Sequence, residues 1–113
     1  MGKLDGKVAV VTGGCRGIGM YISLDCARAG AKVCVNYTSA GSREKADAVV
    51  AEIEKAGGHA FAYRADVTDP AQVRTMYEET VSRYGQLDIL VNNAGILLQG
   101  LLIEQAYEDI QEM

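Results

Sequence analysis

The stretch that most constrains this chain is Val8–Gly19, VAVVTGGCRGIG. Its apolar run, Val8–Val11, reads as a short buried strand, extended at most to Thr12. The strand breaks into a glycine-rich turn over Thr12–Gly17. A helical pattern follows from about Ile18 to Ala29, with Gly30 as its stop. Strand, glycine turn and helix in that order aim unpaired backbone N–H groups at one point. The helix dipole adds roughly half a positive charge there, so a phosphate or pyrophosphate is the natural occupant.

The rest of the chain repeats the alternation. Lys32–Tyr37 (KVCVNY) is a second short apolar strand, and Thr38–Ser42 a small polar loop. A second helix runs from about Arg43 to Ala56, with Ala46, Val49, Val50 and Ile53 on one stripe and Gly57-Gly58 at its end. His59–Arg64 is a third strand, with Ala65-Asp66-Val67 running off it. Asp69-Pro70-Ala71-Gln72 starts a helix: Asp at the N-cap, Pro at the first helical position, Gln in the capping-box position. Its face of Val73, Met76, Tyr77, Thr80, Val81 and Tyr84 reads as a core stripe, and Gly85 stops it. Leu87–Val91 is a fourth strand, followed by Asn92-Asn93-Ala94-Gly95, and an amphipathic segment over about Ile103–Ile110 opens a further helix.

The expected fold class is therefore α/β, a partial Rossmann-type doubly wound parallel sheet. The order β-α-β-α-β-α-β plus a helix start, with right-handed crossovers, requires strand order 3-2-1-4. Residues 1–113 read as the N-terminal half of one dinucleotide-binding domain. A ligand crevice belongs at the carboxyl ends of the first and fourth strands, where the order reverses. Thr12–Gly19 and Asn92–Gly95 both lie there.

Composition narrows the partners. The net charge is −4, and no lysine- or arginine-rich run exists, which disfavours nucleic acid. No apolar run approaches the roughly 20 residues of a membrane span. The four apolar residues near the N-terminus are too few for a signal-peptide core, so the expected location is cytoplasmic. The three cysteines, Cys15, Cys26 and Cys34, show neither C-x-x-C nor a His/Cys ligand pattern, so free thiols and no metal are expected. Cys26 and Cys34 read as packing residues. Cys15 lies near a helix N-terminus, where thiolate is favoured, but reads first as a variable loop position.

The glycines of TGGCRGIG are spaced G-x-x-x-G-x-G. This is neither G-x-G-x-x-G nor a P-loop. Gly13 suits a tight turn, Gly17 a close approach of backbone to phosphate, and Gly19 close packing of helix on strand. The end of the second strand holds Asn36, then Tyr37-Thr38-Ser39, where an NAD site usually carries Asp or Glu. No carboxylate there repels a 2′-phosphate, and Arg16 is close enough to pair with one, unless it is simply a solvated loop charge. This favours NADP(H) over NAD(H). Asp66-Val67 can border an adenine, the carboxylate accepting from its exocyclic amine, or Asp66 can be a turn aspartate before Thr68-Asp69. Asn92–Gly95 offers amides beside the glycine turn, or is only a bend.

Together, TGGCRGIG at 12–19, Asp66-Val67 and NNAG at 92–95 closely resemble the short-chain dehydrogenase/reductase family across nearly the whole chain. The Asn36-Tyr37 strand end and the Ala-rich second helix look most like its 3-oxoacyl-(acyl carrier protein) reductases and related NADPH-dependent reductases. The resemblance implies that Gly13, Arg16, Gly17, Ile18 and Gly19 hold the pyrophosphate and neighbouring ribose. It puts Asn36 and Ser39 near the 2′-phosphate, Asp66 and Val67 beside adenine, and Asn92, Ala94 and Gly95 beside the nicotinamide-side ribose. It implies hydride transfer between a nicotinamide and a carbonyl or alcohol.

The family's catalytic Ser and Tyr-x-x-x-Lys belong to the second half of its fold, and this chain stops before them. None of its tyrosines (Tyr21, Tyr37, Tyr63, Tyr77, Tyr84, Tyr107) has Lys four residues on. His59, the only histidine, reads as a surface residue. The chain alone is therefore expected to bind nucleotide without turning over substrate. The alternative is a non-catalytic nucleotide-binding or interaction module, complete at 113 residues. A methyltransferase-type site is disfavoured because Asn36 is not acidic. The open, apolar Leu87–Val91 edge is expected to drive homo-oligomerisation or association.

Overall fold

The computed structural model describes residues 2–15 and 17–92. Four strands, β1 (Val8–Thr12), β2 (Lys32–Tyr37), β3 (Ala60–Arg64) and β4 (Ile89–Asn92), alternate with three helices, α1 (Gly17–Arg28), α2 (Arg43–Lys55) and α3 (Pro70–Tyr84). The sheet is parallel throughout, in the order β3-β2-β1-β4. This is the doubly wound Rossmann-type order that the alternation requires. The segment over about Ile103–Ile110 lies outside the described residues.

β1 is buried at all five positions, and β2 is buried from Val33 to Asn36. Central parallel strands are covered on both faces, so their sequences are continuous rather than alternating apolar runs. On one face Ala9, Val11, Val33 and Val35 pack with Ala46, Val49 and Ile53 of α2 and with partly buried Met20, Ile22 and Leu24 of α1. On the other, Val10, Cys34 and Phe61 pack against Val73, Met76 and Tyr77 of α3. The expected α3 stripe is thus the core face; Val81 and Tyr84 at its C-terminal end are half-buried.

Cys34 is fully buried, and burial pushes its thiol up to about 12, opposed in part by a bond to the neighbouring Thr80 hydroxyl. Tyr77 is fully buried too, and its hydroxyl is the one buried side-chain polar atom without a partner among the described residues. Cys26 is half-buried against the α1 side of the core.

Two boundaries show local chemistry that the sequence pattern did not resolve. At α3, Asp69 Oδ1 accepts from the Ala71 N–H at 3.0 Å, the expected N-cap. Gln72 does not close the capping box on the Asp69 N–H, which instead donates to the Asp66 carbonyl at 2.9 Å. Its Nε2 donates to Asp69 Oδ2 at 3.0 Å and its Oε1 accepts from the Asp66 N–H at 2.8 Å.

At β4, pairing starts at Ala9↔Ile89, two residues after the expected Leu87. There the Asp88 carboxylate takes the Val8 N–H at 2.9 Å in place of a main-chain carbonyl. Gln86 Nε2 donates to both Asp88 Oδ2 and the Gly6 carbonyl at 2.6 Å. The bonds to Val8 and to Gly6 each join residues 80 positions apart.

Candidate functional site

The carboxyl ends of β2, β1 and β4 lie side by side, and the glycine turn leaves β1 between its two neighbours. Thr12 is buried, and its hydroxyl donates to the Val91 carbonyl at 3.2 Å, fastening the end of β1 to β4. Gly13 has φ +61 and Gly17 φ +50, the left-handed region where a side chain is strained, so the turn needs glycine at both ends. A Cβ added at Gly17 would meet no described atom within 4 Å. One added at Gly14 would come within 2.8 Å of Ser23 Oγ and of the Val11 carbonyl oxygen.

Ser23 explains that tightness. It is buried on α1, with its hydroxyl 3.0 Å from the Gly14 carbonyl and 2.9 Å from the Gly19 carbonyl. Gly19 is buried beside it, as close helix packing requires. Gly14 lies inside TGGCRGIG with no role assigned from its spacing, and Ser23 lies in no motif; the signal available in sequence is two small residues, Gly19 and Ser23, one helical turn apart. Cys15 is also buried and packs with the α1–α2 core. Gly17 and Ile18 face outward, Ile18 with 72% of its surface exposed.

Asn36 is oriented differently from the sequence expectation. It is fully buried. Its Oδ1 accepts from the Gly13 N–H at 3.0 Å, and its main-chain carbonyl accepts from the Gly14 N–H at 3.0 Å. Its Nδ2 lies 3.1 Å from the Ala65 carbonyl and 3.3 Å from those of Tyr63 and Tyr37. The amide serves the turn rather than standing open to solvent. Among the described residues, the first-turn amides of α1 at Gly17, Ile18 and Gly19 are donors that helix geometry leaves without intrahelical acceptors.

Beyond β2, Thr38 and Ser39 are exposed. Ser39 Oγ lies 3.1 Å from Ser42 Oγ, and the Ser39 carbonyl accepts from the Ser42 N–H at 3.0 Å. Exposed Arg64, the last residue of the third strand and given no site role by the sequence, donates from Nε to the Thr38 carbonyl at 3.3 Å. It puts a cation beside the 38–39 loop. At the end of β3, Asp66 Oδ1 accepts from both the Thr68 hydroxyl, at 2.7 Å, and the Thr68 N–H, at 2.9 Å. Those bonds hold its carboxyl below the usual range. The turn-aspartate reading thus describes one of its oxygens. Val67 is buried in the α3-side core. Asn92 is exposed at the end of β4. Arg16, Ala94 and Gly95 lie outside the described residues.

A cavity of about 730 Å³ lies at the other ends of the strands, lined by Asp5, Arg28, Gly30, Gly58 and His59 among others. It belongs to the opposite edge from the glycine turn. Among the described residues no group of His, Cys, Asp and Glu could hold a metal, and no helix is long and apolar enough to cross a membrane.

Comparison with known proteins gives this geometry its relatives. The family model for short chain dehydrogenases matches residues 7–113. A 3-oxoacyl-(acyl-carrier-protein) reductase of Staphylococcus aureus is 50% identical over 107 residues, covering 92% of this chain and 43% of the relative. A short chain dehydrogenase/reductase of Aspergillus novofumigatus is 44% identical over 112 residues, 99% of this chain and 42% of its own. Among solved structures, a Burkholderia cenocepacia short chain dehydrogenase in complex with NADP superposes with a TM-score of 0.87 at 38% identity, over 95% of this chain and 51% of that one. A blue fluorescent protein from a metagenomic library, in complex with NADPH, gives 0.79 at 50% identity over 82% and 38%. The chain spans less than half the length of the curated relatives it matches. Matched from residue 7 to its last and half identical to a reductase of known type, the chain belongs to the short-chain dehydrogenase family.

Proposed function

We propose that this chain is the NADP(H)-binding N-terminal half of a short-chain dehydrogenase that moves hydride between nicotinamide and a carbonyl or alcohol, in the manner of a 3-oxoacyl reductase. The observation that carries the reading is that no described atom comes within 4 Å of a Cβ placed at Gly17, beside the first-turn amides of α1 and at the point where the strand order reverses. A diphosphate needs that combination of unfilled volume and unsatisfied N–H donors. The relatives solved with NADP and NADPH support it by likeness.

In this reading Gly17, Ile18 and Gly19 bind the diphosphate through main-chain N–H groups, with Gly13 setting the turn that aims them. Arg16 and Ser39 meet the 2′-phosphate, and the absence of an acidic side chain at the β2 end leaves it unopposed. Asp66 keeps a carboxylate oxygen for the adenine amine, Val67 lies on the adenine side, and Asn92, Ala94 and Gly95 border the nicotinamide-side ribose. The bound nucleotide supplies the hydride donor or acceptor. Proton transfer belongs to a Ser and a Tyr-x-x-x-Lys that no residue of this chain matches, so the chain by itself is inactive. Its three free thiols, Cys15, Cys26 and Cys34, suit a reducing, cytoplasmic setting.

Calorimetric titration with NADP⁺ and NAD⁺ tests the assignment. Tighter binding of NADP⁺ is expected, reduced by Arg16→Glu with NAD⁺ binding little changed. Equal affinities for the two nucleotides would refute the NADP(H) assignment, and no binding of either would refute the site.

A further inference from the structure

We infer that Asn36 is a positioning residue for the nucleotide turn: it locks the turn to the ends of β2 and β3 and meets no phosphate itself. This rests on the nucleotide reading above and changes the part assigned to Asn36 within it. Three observations carry it. The side chain has no exposed surface. Its acceptor is occupied by the Gly13 N–H, and its own carbonyl by the Gly14 N–H. Its Nδ2 is surrounded by the carbonyls of Ala65, Tyr63 and Tyr37 at 3.1–3.3 Å. A carboxamide has one acceptor oxygen and two N–H donors, and this one has a partner for each.

The arrangement explains why an amide stands at this strand end. A carboxylate could accept from Gly13 but would face three carbonyl oxygens with no proton to offer, buried and charged. An aliphatic side chain would take the Oδ1 acceptor from the Gly13 N–H and the Nδ2 donor from the Ala65 carbonyl. Only a group with donor and acceptor at opposite corners bridges the glycine turn to β3. Through Ala65, the residue before Asp66, it also ties the diphosphate segment to the candidate adenine segment. The two halves of the nucleotide site are thereby held at a fixed separation before any ligand arrives. With the Gly13 and Gly14 N–H groups drawn inward, the anion falls to amides further along the turn, among them those at Gly17–Gly19.

The test uses Asn36→Ala and Asn36→Ser in the protein expressed from its full reading frame, titrated with NADP⁺, NAD⁺ and 2′-AMP. A positioning role lowers NADP⁺ and NAD⁺ affinity by the same factor, about tenfold for one buried hydrogen bond. It leaves 2′-AMP, which has no diphosphate, within about twofold of the unmodified protein on the same scale. A fall confined to NADP⁺ and 2′-AMP would make Asn36 a direct phosphate contact and overturn the inference. A fall of all three together would reduce it to a general fold defect and overturn it equally. Should neither variant fold, hydrogen exchange in the unmodified protein decides. The Gly13 and Gly14 amides are expected to be protected before nucleotide is added, and protection only on binding would overturn the inference. Failure of the unmodified protein to bind either dinucleotide would instead sink the functional reading, leaving the exchange result to judge the Asn36 lock alone.

Discussion

Alanine at Gly14 and at Gly17 should fail in opposite ways, although the two positions lie three residues apart in one turn. At Gly14 the new methyl would come within 2.8 Å of both Ser23 Oγ and the Val11 carbonyl oxygen, and within 3.3 Å of Val11 Cβ. Ser23 can rotate away only by giving up its contacts to the Gly14 and Gly19 carbonyls. The Val11 carbonyl belongs to the buried central strand and cannot follow. Overpacking of this kind costs about 1–3 kcal/mol, and a lost hydroxyl bond about 1 more. At Gly17 the methyl meets no described atom within 4 Å, so the cost is the left-handed backbone alone, about 1–2 kcal/mol. That methyl, however, projects into the volume beside the first-turn amides. Urea unfolding followed by circular dichroism should therefore rank Gly14→Ala below Gly17→Ala in stability. Calorimetry should show the larger loss of NADP⁺ affinity in Gly17→Ala. Adding Ser23→Ala should return part of the stability lost in Gly14→Ala. A Gly17→Ala protein that binds NADP⁺ like the unmodified one would refute the reasoning, as would one that is the less stable of the pair.

Tyr77→Phe removes a buried hydroxyl that has no partner among the described residues, so stability should be unchanged or rise by up to about 1 kcal/mol; a loss of more than that in urea unfolding would mean the hydroxyl is bonded. Cys34, raised by burial from 9.0 to about 12, stays protonated in the folded chain at pH values where the unfolded chain has ionised it. Its contribution is complete below pH 9 and is lost as pH rises towards 12, at up to about 1.4 kcal/mol per pH unit. Unfolding free energies measured from pH 8 to 11 should therefore fall less steeply in Cys34→Ala than in the unmodified protein, and parallel slopes would exclude Cys34 as a contributor.

The architecture was legible because each element carries its own period. Val8–Val11 and Lys32–Tyr37 are apolar runs too short for helices, and Ala46, Val49, Val50 and Ile53 fall on one stripe. Chirality then left one strand order. The orientation of Asn36 was not legible, for a physical reason. A central parallel strand is buried on both faces, so alternation does not tell whether a polar residue near its end faces a ligand or its neighbours. The family resemblance puts Asn36 near the 2′-phosphate, whereas its hydrogen bonds run inward to residues remote in sequence. Gln72 shows the same limit: the capping-box spacing is correct, but Asp66, brought close by the turn, competes for its side chain. Gly14 and Ser23 went unread because the contact between turn and helix exists only once both have formed.

The Gln86–Asp88 latch bears on how the chain assembles. During synthesis β2 is available to β1 early, whereas β4 and the carboxylate that takes the Val8 N–H emerge 80 residues later. Until then the strand destined for the centre of the sheet is an edge, with a bare ladder of amides and carbonyls along an apolar run. The nascent protein is thus most exposed to off-pathway pairing at its own future core, and a chaperone or a slow pause before residue 86 would act on that interval.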